Sequence, residues 1–235
     1  MKVYVINVPS HTDRLEGFQA AYPAGLPEPI VYAAKTGEEV EVPAWWKGTA
    51  NAWALVQNLK AILSQGHSEP VMICEDDCAF YSDFANALAD FTANVPNDWD
   101  ILFPGGRHED LLYAYPVKVN DHVLKCRYTP GNFCIIVNPA SIQKILSILD
   151  SERWPCRHVH DDLLALAQWS GQIKAYAPLR FIAGQRGGIP STLKDWTFRQ
   201  TTFFNEFKYF DPENQVFLPA GALYDAEAEE EEEEA

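Results

Sequence analysis

The chain has no run of about 18 apolar residues, so no membrane-spanning helix is expected in its 235 residues. Its first apolar run, Val3-Tyr4-Val5-Ile6, is cut short by Asn7 and Pro9 and lacks the length of a signal peptide's hydrophobic region. A soluble, cytoplasmic protein is therefore the expectation. Positive charge is scarce too: 18 Lys and Arg stand against 33 Asp and Glu, a net charge of −15. That balance argues against broad electrostatic binding to nucleic acid, which needs clustered cations, and leaves room only for a local basic groove. Cysteine is sparse and odd in number. Cys74, Cys78, Cys126, Cys134 and Cys156 lie mostly in or beside apolar runs and form no regular framework, so reduced thiols are expected. Cys74 and Cys78 make a CxxxC pair, yet no His or further Cys accompanies them at zinc spacing. No internal repeat is visible.

The acids that are present are unevenly spread. Residues 225–235 hold eight of them and no base, and without this block the net charge is −7. Such a block repels itself and is expected to be a disordered tail. Residues 1–224 then form one domain, whose composition of 47% hydrophobic and 13% aromatic residues suffices for a large core.

Strand and helix patterns alternate along this domain. Residues 2–8 read as a strand, and residues 10–21 as a helix capped by Ser10 or Thr12. Ala52, Leu55, Val56, Leu59, Ile62 and Leu63 form the stripe of an amphipathic helix over residues 49–65, closed by Gly66. Further strands are expected at 71–74, 101–103, 133–137, 173–176 and 180–183, with an edge strand or hairpin in 117–128. Helices are expected at 83–93, after Asn138-Pro139, and at 159–169. Residues 186–224 carry no clear pattern. The alternation predicts an α/β sandwich on a mostly parallel central sheet, as in nucleotide-binding folds.

The densest chemical signal is Val71-Met72-Ile73-Cys74-Glu75-Asp76-Asp77, an apolar strand that ends in three adjacent carboxylates. Ligands gather at the carboxyl ends of strands in such sheets, and like charges there call for a cation. Hard oxygen ligands favour Mg²⁺ or Mn²⁺ over zinc, which in turn fits a phosphate-bearing substrate. Strand alternation lets Glu75 and Asp77 converge on one ion while Asp76 points elsewhere. Arg14 is placed to fork onto phosphate or a base carbonyl, or else to pair with Asp13 or Glu16 on the surface. Gly105-Gly106 allows close backbone approach to a ligand or simply makes a turn. Asp161 and Asp162 lie in a helix's first turn, where the macrodipole alone would stabilise them. The many aromatics, Trp45-Trp46 and Trp196 to Phe210 among them, default to packing.

Several of these pieces occur together and in order: Val5-Ile6-Asn7 with Asp13-Arg14, Gly48 opening a helix, residues 71–77 with Phe80 and Phe84, Trp99-Asp100-Ile101-Leu102, residues 131–137 before Ala140, His160-Asp161-Asp162, and residues 176–185. In this combination the chain resembles glycosyltransferase family 25, the lipopolysaccharide and collagen glycosyltransferase group with a GT-A-like, Rossmann-like fold. The resemblance spans most of the chain, with one departure: the family's Ser-His pair appears as Ala50-Asn51. It implies a metal-dependent, inverting transfer of a hexose from a nucleotide diphosphate sugar, first of all a UDP-sugar, to an acceptor hydroxyl, first of all of a glycan, while the compact length and the absence of a basic amphipathic membrane helix leave room for a hydroxylated DNA base or a protein. It further implies Mn²⁺ or Mg²⁺ held by Glu75, Asp77 and His160, donor contacts from Asn7, Arg14, Asp76, Gly105, Gly106 and Gln185, and a base at Asp161 or Asp162. Arg186, Ser191 and Thr192 would close the site over the phosphates, with Gly187-Gly188 giving that segment freedom. The alternatives are a non-catalytic nucleotide-sugar or nucleic-acid binding module and a two-metal phosphatase or nuclease.

Overall fold

Alternation along the strands sorts side chains onto two faces of one sheet. The computed structural model describes residues 1–109, 114–152, 160–189 and 200–220, with His160 by its backbone alone. In it, β1 (Lys2–Asn7) sends Val3 and Val5 into one hydrophobic cluster and Tyr4 and Ile6 into another. It pairs in parallel with β2 (Ile30–Ala33) on one side and β3 (Val71–Glu75) on the other. Next to β3 lies β8 (Cys134–Val137), antiparallel to both β3 and β5 (Ile101–Gly105). β9 (Ala175–Pro178) follows in parallel with β5. Beyond it come β7 (Val123–Lys125), β6 (Val117–Lys118), β11 (Lys208–Asp211) and β12 (Val216–Pro219). Seven of these ten strands point the same way, β7, β8 and β12 being the reversed ones, so the central sheet is mostly parallel in direction.

Helices cover both faces, as burial of strands on two sides requires. α2 (Ala50–Leu63), α4 (Ile142–Leu149) and α5 (His160–Trp169) pack with Tyr4, Ile6, Ile73, Ile101, Phe103, Ile135 and Val137. α1 (Thr12–Ala21) and α3 (Phe84–Asn94) cover the opposite face through Phe18, Phe84, Leu88 and Phe91. Each of these buried phenylalanines contributes about 1.5–3 kcal/mol. Trp45, Trp46 and Trp53 pack edge-to-face and tilted against one another, with centroids 5.1–6.1 Å apart, as expected of packing residues. Asp100 is buried and accepts from Ser141 Oγ, Lys144 Nζ and the Lys174 N–H at 2.5, 2.6 and 2.7 Å, tying β5, α4 and the start of β9 together.

Several boundaries differ from the sequence reading. Neither Ser10 nor Thr12 caps α1. His11 stands at the N-cap without a side-chain cap bond, and Asn7 Nδ2 holds its carbonyl at 3.0 Å. The strand expected at 180–183 is β10 (Ala183–Gln185), outside the main sheet and paired antiparallel with β4 (Cys78–Phe80), which the sequence did not reveal. β2 was also missed: as an edge strand with Ile30 and Val31 exposed, it shows no inward-outward alternation. No helix among the described residues is long and apolar enough to cross a membrane. Ser191, Thr192, Trp196, Phe198 and the acidic block 225–235 lie outside the described residues.

Candidate active site

The acids sit where β3 stops. Glu75 is the strand's last residue, its N–H donating to the Phe133 carbonyl at 3.0 Å, and Asp76-Asp77 turn the chain into β4. This turn replaces strand alternation, so Asp76 and Asp77 both reach Arg14 on α1. Asp76 is buried, accepts from Asn7 Nδ2 at 2.8 Å and from Arg14 Nε at 2.8 Å, and bonds Arg14 Nη2 as well. Arg14 Nη2 also lies 3.3 Å from Asp77 Oδ2. Burial opposes the Arg14 charge, but Asp76, Asp77 and Glu75 outweigh it and hold the guanidinium's pKa above its ordinary value. Asn7 and Arg14, expected as donor contacts, are thus joined to Asp76 in one network.

β10 closes the other side of the turn. Gln185 Nε2 donates to Asp77 Oδ2 at 3.1 Å, and the Arg186 N–H donates to the Asp77 carbonyl at 2.7 Å. Arg186 Nη2 donates to the carbonyls of Arg14 and Asp76, both at 2.9 Å. This contact explains Gly17: a Cβ there would stand 2.1 Å from Arg186 Nη1. Gly105 is explained the same way, since a Cβ would meet the Ala183 carbonyl oxygen at 2.7 Å, so the close backbone approach it permits is that of β10. Gly106 is buried against Thr129 and Phe103.

The remaining acids form a different environment. Asp77 Oδ1 is buried without a hydrogen-bond partner, and burial raises the Asp77 pKa against the opposing pull of Arg14 and Gln185. Glu75 is driven well above the carboxylate range, first by burial and then by Asp77, Asp161 and Asp76, with Arg14 opposing. Asp161, from α5, is therefore felt electrostatically at the β3 end. Its Oδ2 accepts from the Gly131 N–H and its Oδ1 from the Asp162 N–H, both at 3.1 Å. His160 opens α5 beside them.

The sequence reading left two buried polar residues out of the site: Asn132, whose neighbours Gly131 and Phe133 bond Asp161 and Glu75, and His108. Asn132, between Gly131 and Phe133, is buried with neither carboxamide atom partnered. His108, just past Gly105-Gly106, is packed between Phe181 and Phe207 with Nδ1 2.7 Å from Thr129 Oγ1 and Nε2 unpartnered. Burial pushes its pKa down to about 3. A buried polar side chain between small and aromatic neighbours has no sequence signature of its own. The later aromatics pack as expected: Phe204 stacks on Phe133 and Phe203 meets Tyr81. Asn51, at the family's histidine position, accepts from the Gly37 N–H at 2.8 Å.

No protein-family model matches the sequence, and no curated protein is significantly similar to it. Among solved structures it is similar to a protein from STIV, with TM-score 0.43 and 12% identity over 79% of this chain and 85% of that one. A glycosyltransferase from Streptococcus pneumoniae gives 0.42 and 10%, over 74% of this chain and 44% of that one. A UDP-glucose pyrophosphorylase in complex with UDP-glucose gives 0.39 and 12%, over 75% and 72%. Likeness of this degree transfers neither substrate nor activity, so what the chain does must be read from its own residues.

Proposed function

We propose that the chain is a glycosyltransferase of the family 25 type, moving a hexose from a nucleotide diphosphate sugar to an acceptor hydroxyl. The observation that carries this reading is the pair Glu75 and Asp77 at the carboxyl end of β3, where one Asp77 oxygen is buried and unpartnered although Arg14 lies 3.3 Å from the other. A hard divalent cation fits them: Asp77 Oδ1 is an orphaned buried oxygen, and Glu75 is pressed toward its protonated form by burial and then by the surrounding acids. Glu75 and Asp77 would hold Mn²⁺ or Mg²⁺, with His160 as a further candidate. The ion would supply charge stabilisation for the diphosphate leaving group.

The chain's own residues supply the rest. Arg14 and Asn7 fix the Asp76 side of the turn, and Gln185 and Arg186 fix the Asp77 side, so the two acids meet the donor in one set position. Asp161 has both oxygens engaged by backbone N–H groups and fastens α5 to the β8 loop. Asp161 or Asp162 would serve as the base that takes the acceptor hydroxyl's proton as the oxygen attacks the anomeric carbon. The acceptor is a hydroxyl of a glycan, a hydroxylated DNA base or a protein. A UDP-sugar panel with Mn²⁺ or Mg²⁺ tests the reading: UDP release that is lost in Asp77→Ala supports it, and no release from any donor sinks it. A second reading, a non-catalytic nucleotide-sugar binder, is favoured by Asn51, whose carboxamide holds the Gly37 loop where the resemblance places histidine. Calorimetric binding without turnover would select it.

A further inference from the structure

We propose that Cys74, Cys78 and Cys134 form a three-sulfur site for a soft d¹⁰ cation, Cu(I) above all. The CxxxC pair carries no metal signal in the sequence because its third ligand comes from another strand. Cys74 on β3 and Cys134 on β8 are directly opposed in antiparallel register. The neighbouring Glu75 N–H bonds the Phe133 carbonyl, which makes the Cys74–Cys134 pair the close, non-hydrogen-bonded kind with both side chains on one face. Their sulfurs stand 3.8 Å apart. Cys78 arrives when the acidic turn folds back into β4, and the three Sγ atoms all lie within 4.8 Å of one another. Among the described residues, this is the one group of three or more His, Cys, Asp or Glu side chains gathered so tightly.

The distances fit one ion. Three sulfurs at about 2.3 Å from a common centre in a plane stand about 4.0 Å apart, close to the Cys74–Cys134 separation. The surroundings choose the ion. All three thiols are fully buried among Phe18, Met72, Phe84 and Ile136, with no oxygen ligand in the group. Zn²⁺ prefers four ligands, whereas soft sulfur donors suit Cu(I) at lower coordination. Binding transfers no electrons; thiol protons pass to solvent as thiolates form on the metal. Because Cys74 and Cys78 bracket Glu75-Asp76-Asp77, the ion would pin both ends of the acidic turn. The site is separate in chemistry from the hard-cation pair and stands whether or not the chain transfers a sugar.

The test uses the full-length chain, reduced and anaerobic, in a Cys126→Ser/Cys156→Ser background that removes the other thiols. Cu(I) is supplied as its acetonitrile complex against a chromophoric chelator. One Cu(I) per chain, a raised melting temperature, and X-ray absorption showing three sulfur neighbours are expected. Glu75→Gln/Asp77→Asn should keep the copper, and excess Mn²⁺ should not displace it. Cys74→Val and Cys134→Val should each lose it, with near-ultraviolet circular dichroism confirming the fold. Zn(II) alone, taken up with three sulfur neighbours, would support the site with the other d¹⁰ ion. Retention of all Cu(I) by the chelator, oxygen or nitrogen neighbours, unchanged uptake by folded Cys134→Val, or a Cys74–Cys134 disulfide in protein kept reduced would overturn the proposal.

Discussion

Asp76 has both carboxylate oxygens held, by Arg14 and Asn7, whereas Asp77 beside it keeps one buried oxygen unpartnered and shares its field with Glu75 and Asp161. The turn thus has an Asp76 side clamped by Arg14 of α1 and a Glu75–Asp77 side where the same guanidinium reaches only one Asp77 oxygen, at 3.3 Å. Satisfied buried charges stabilise a shape, while unsatisfied ones of a single sign mark a place for charge from elsewhere. The comparison breaks most visibly if Arg14 is removed. Arg14→Ala leaves Asp76 charged and buried, and should cost about 3–5 kcal/mol in urea unfolding at pH 7. Arg14→Lys should recover only part of this, because a point charge cannot fork onto the carboxylate. A loss below about 1 kcal/mol for Arg14→Ala would mean that the α1 side is no clamp.

Removing an acid from the other side should do the opposite. The folded chain binds the Glu75 proton more tightly than the unfolded chain, because its pKa is raised on folding. Stability therefore falls as pH rises from the unfolded carboxylate pKa toward the folded one, and Glu75→Gln abolishes that fall. The variant should be at least as stable as the parent at neutral pH, with its advantage growing as pH climbs out of the acid range. Sugar transfer should drop about 10²–10³-fold in the same protein. A variant that is both less stable and fully active would remove the distinction between the two sides.

The comparison also shows what a linear sequence can carry. The first strand and the acid-ended strand, each to within a residue, the stripe of α2 and the α/β alternation were legible because burial imposes a period on local residues. The convergence of Arg14 on both aspartates was not, since it depends on how tightly the chain turns after Glu75. Gly105 read as room for a ligand and proved to be room for β10, because a missing side chain does not say which backbone approaches. β2 and β4 were missed for a related reason: the first is an exposed edge without alternation, and the second is only three residues long. Cys134 could not be joined to Cys74 and Cys78 until the register of β8 against β3 was known.

The smallest effect is a pH dependence in the acid range that arises away from the turn. His108 is buried with Nδ1 on Thr129 and Nε2 unpartnered, and its pKa falls from 6.5 to about 3 through burial. A histidine that resists protonation when folded but accepts it when unfolded lets the unfolded state bind more protons. Stability contributed by neutral His108 is then complete above about pH 6.5 and is lost progressively as pH falls toward the folded value. The slope is at most about 1.4 kcal/mol per pH unit. His108→Asn keeps a polar group for Thr129 and removes the titration, so its urea midpoint should change less than the parent's between pH 7 and pH 5. Equal pH dependence in the two proteins would show that the imidazole is reached by water and protons in the folded state. The cleft between Phe181 and Phe207 would then be open to solvent.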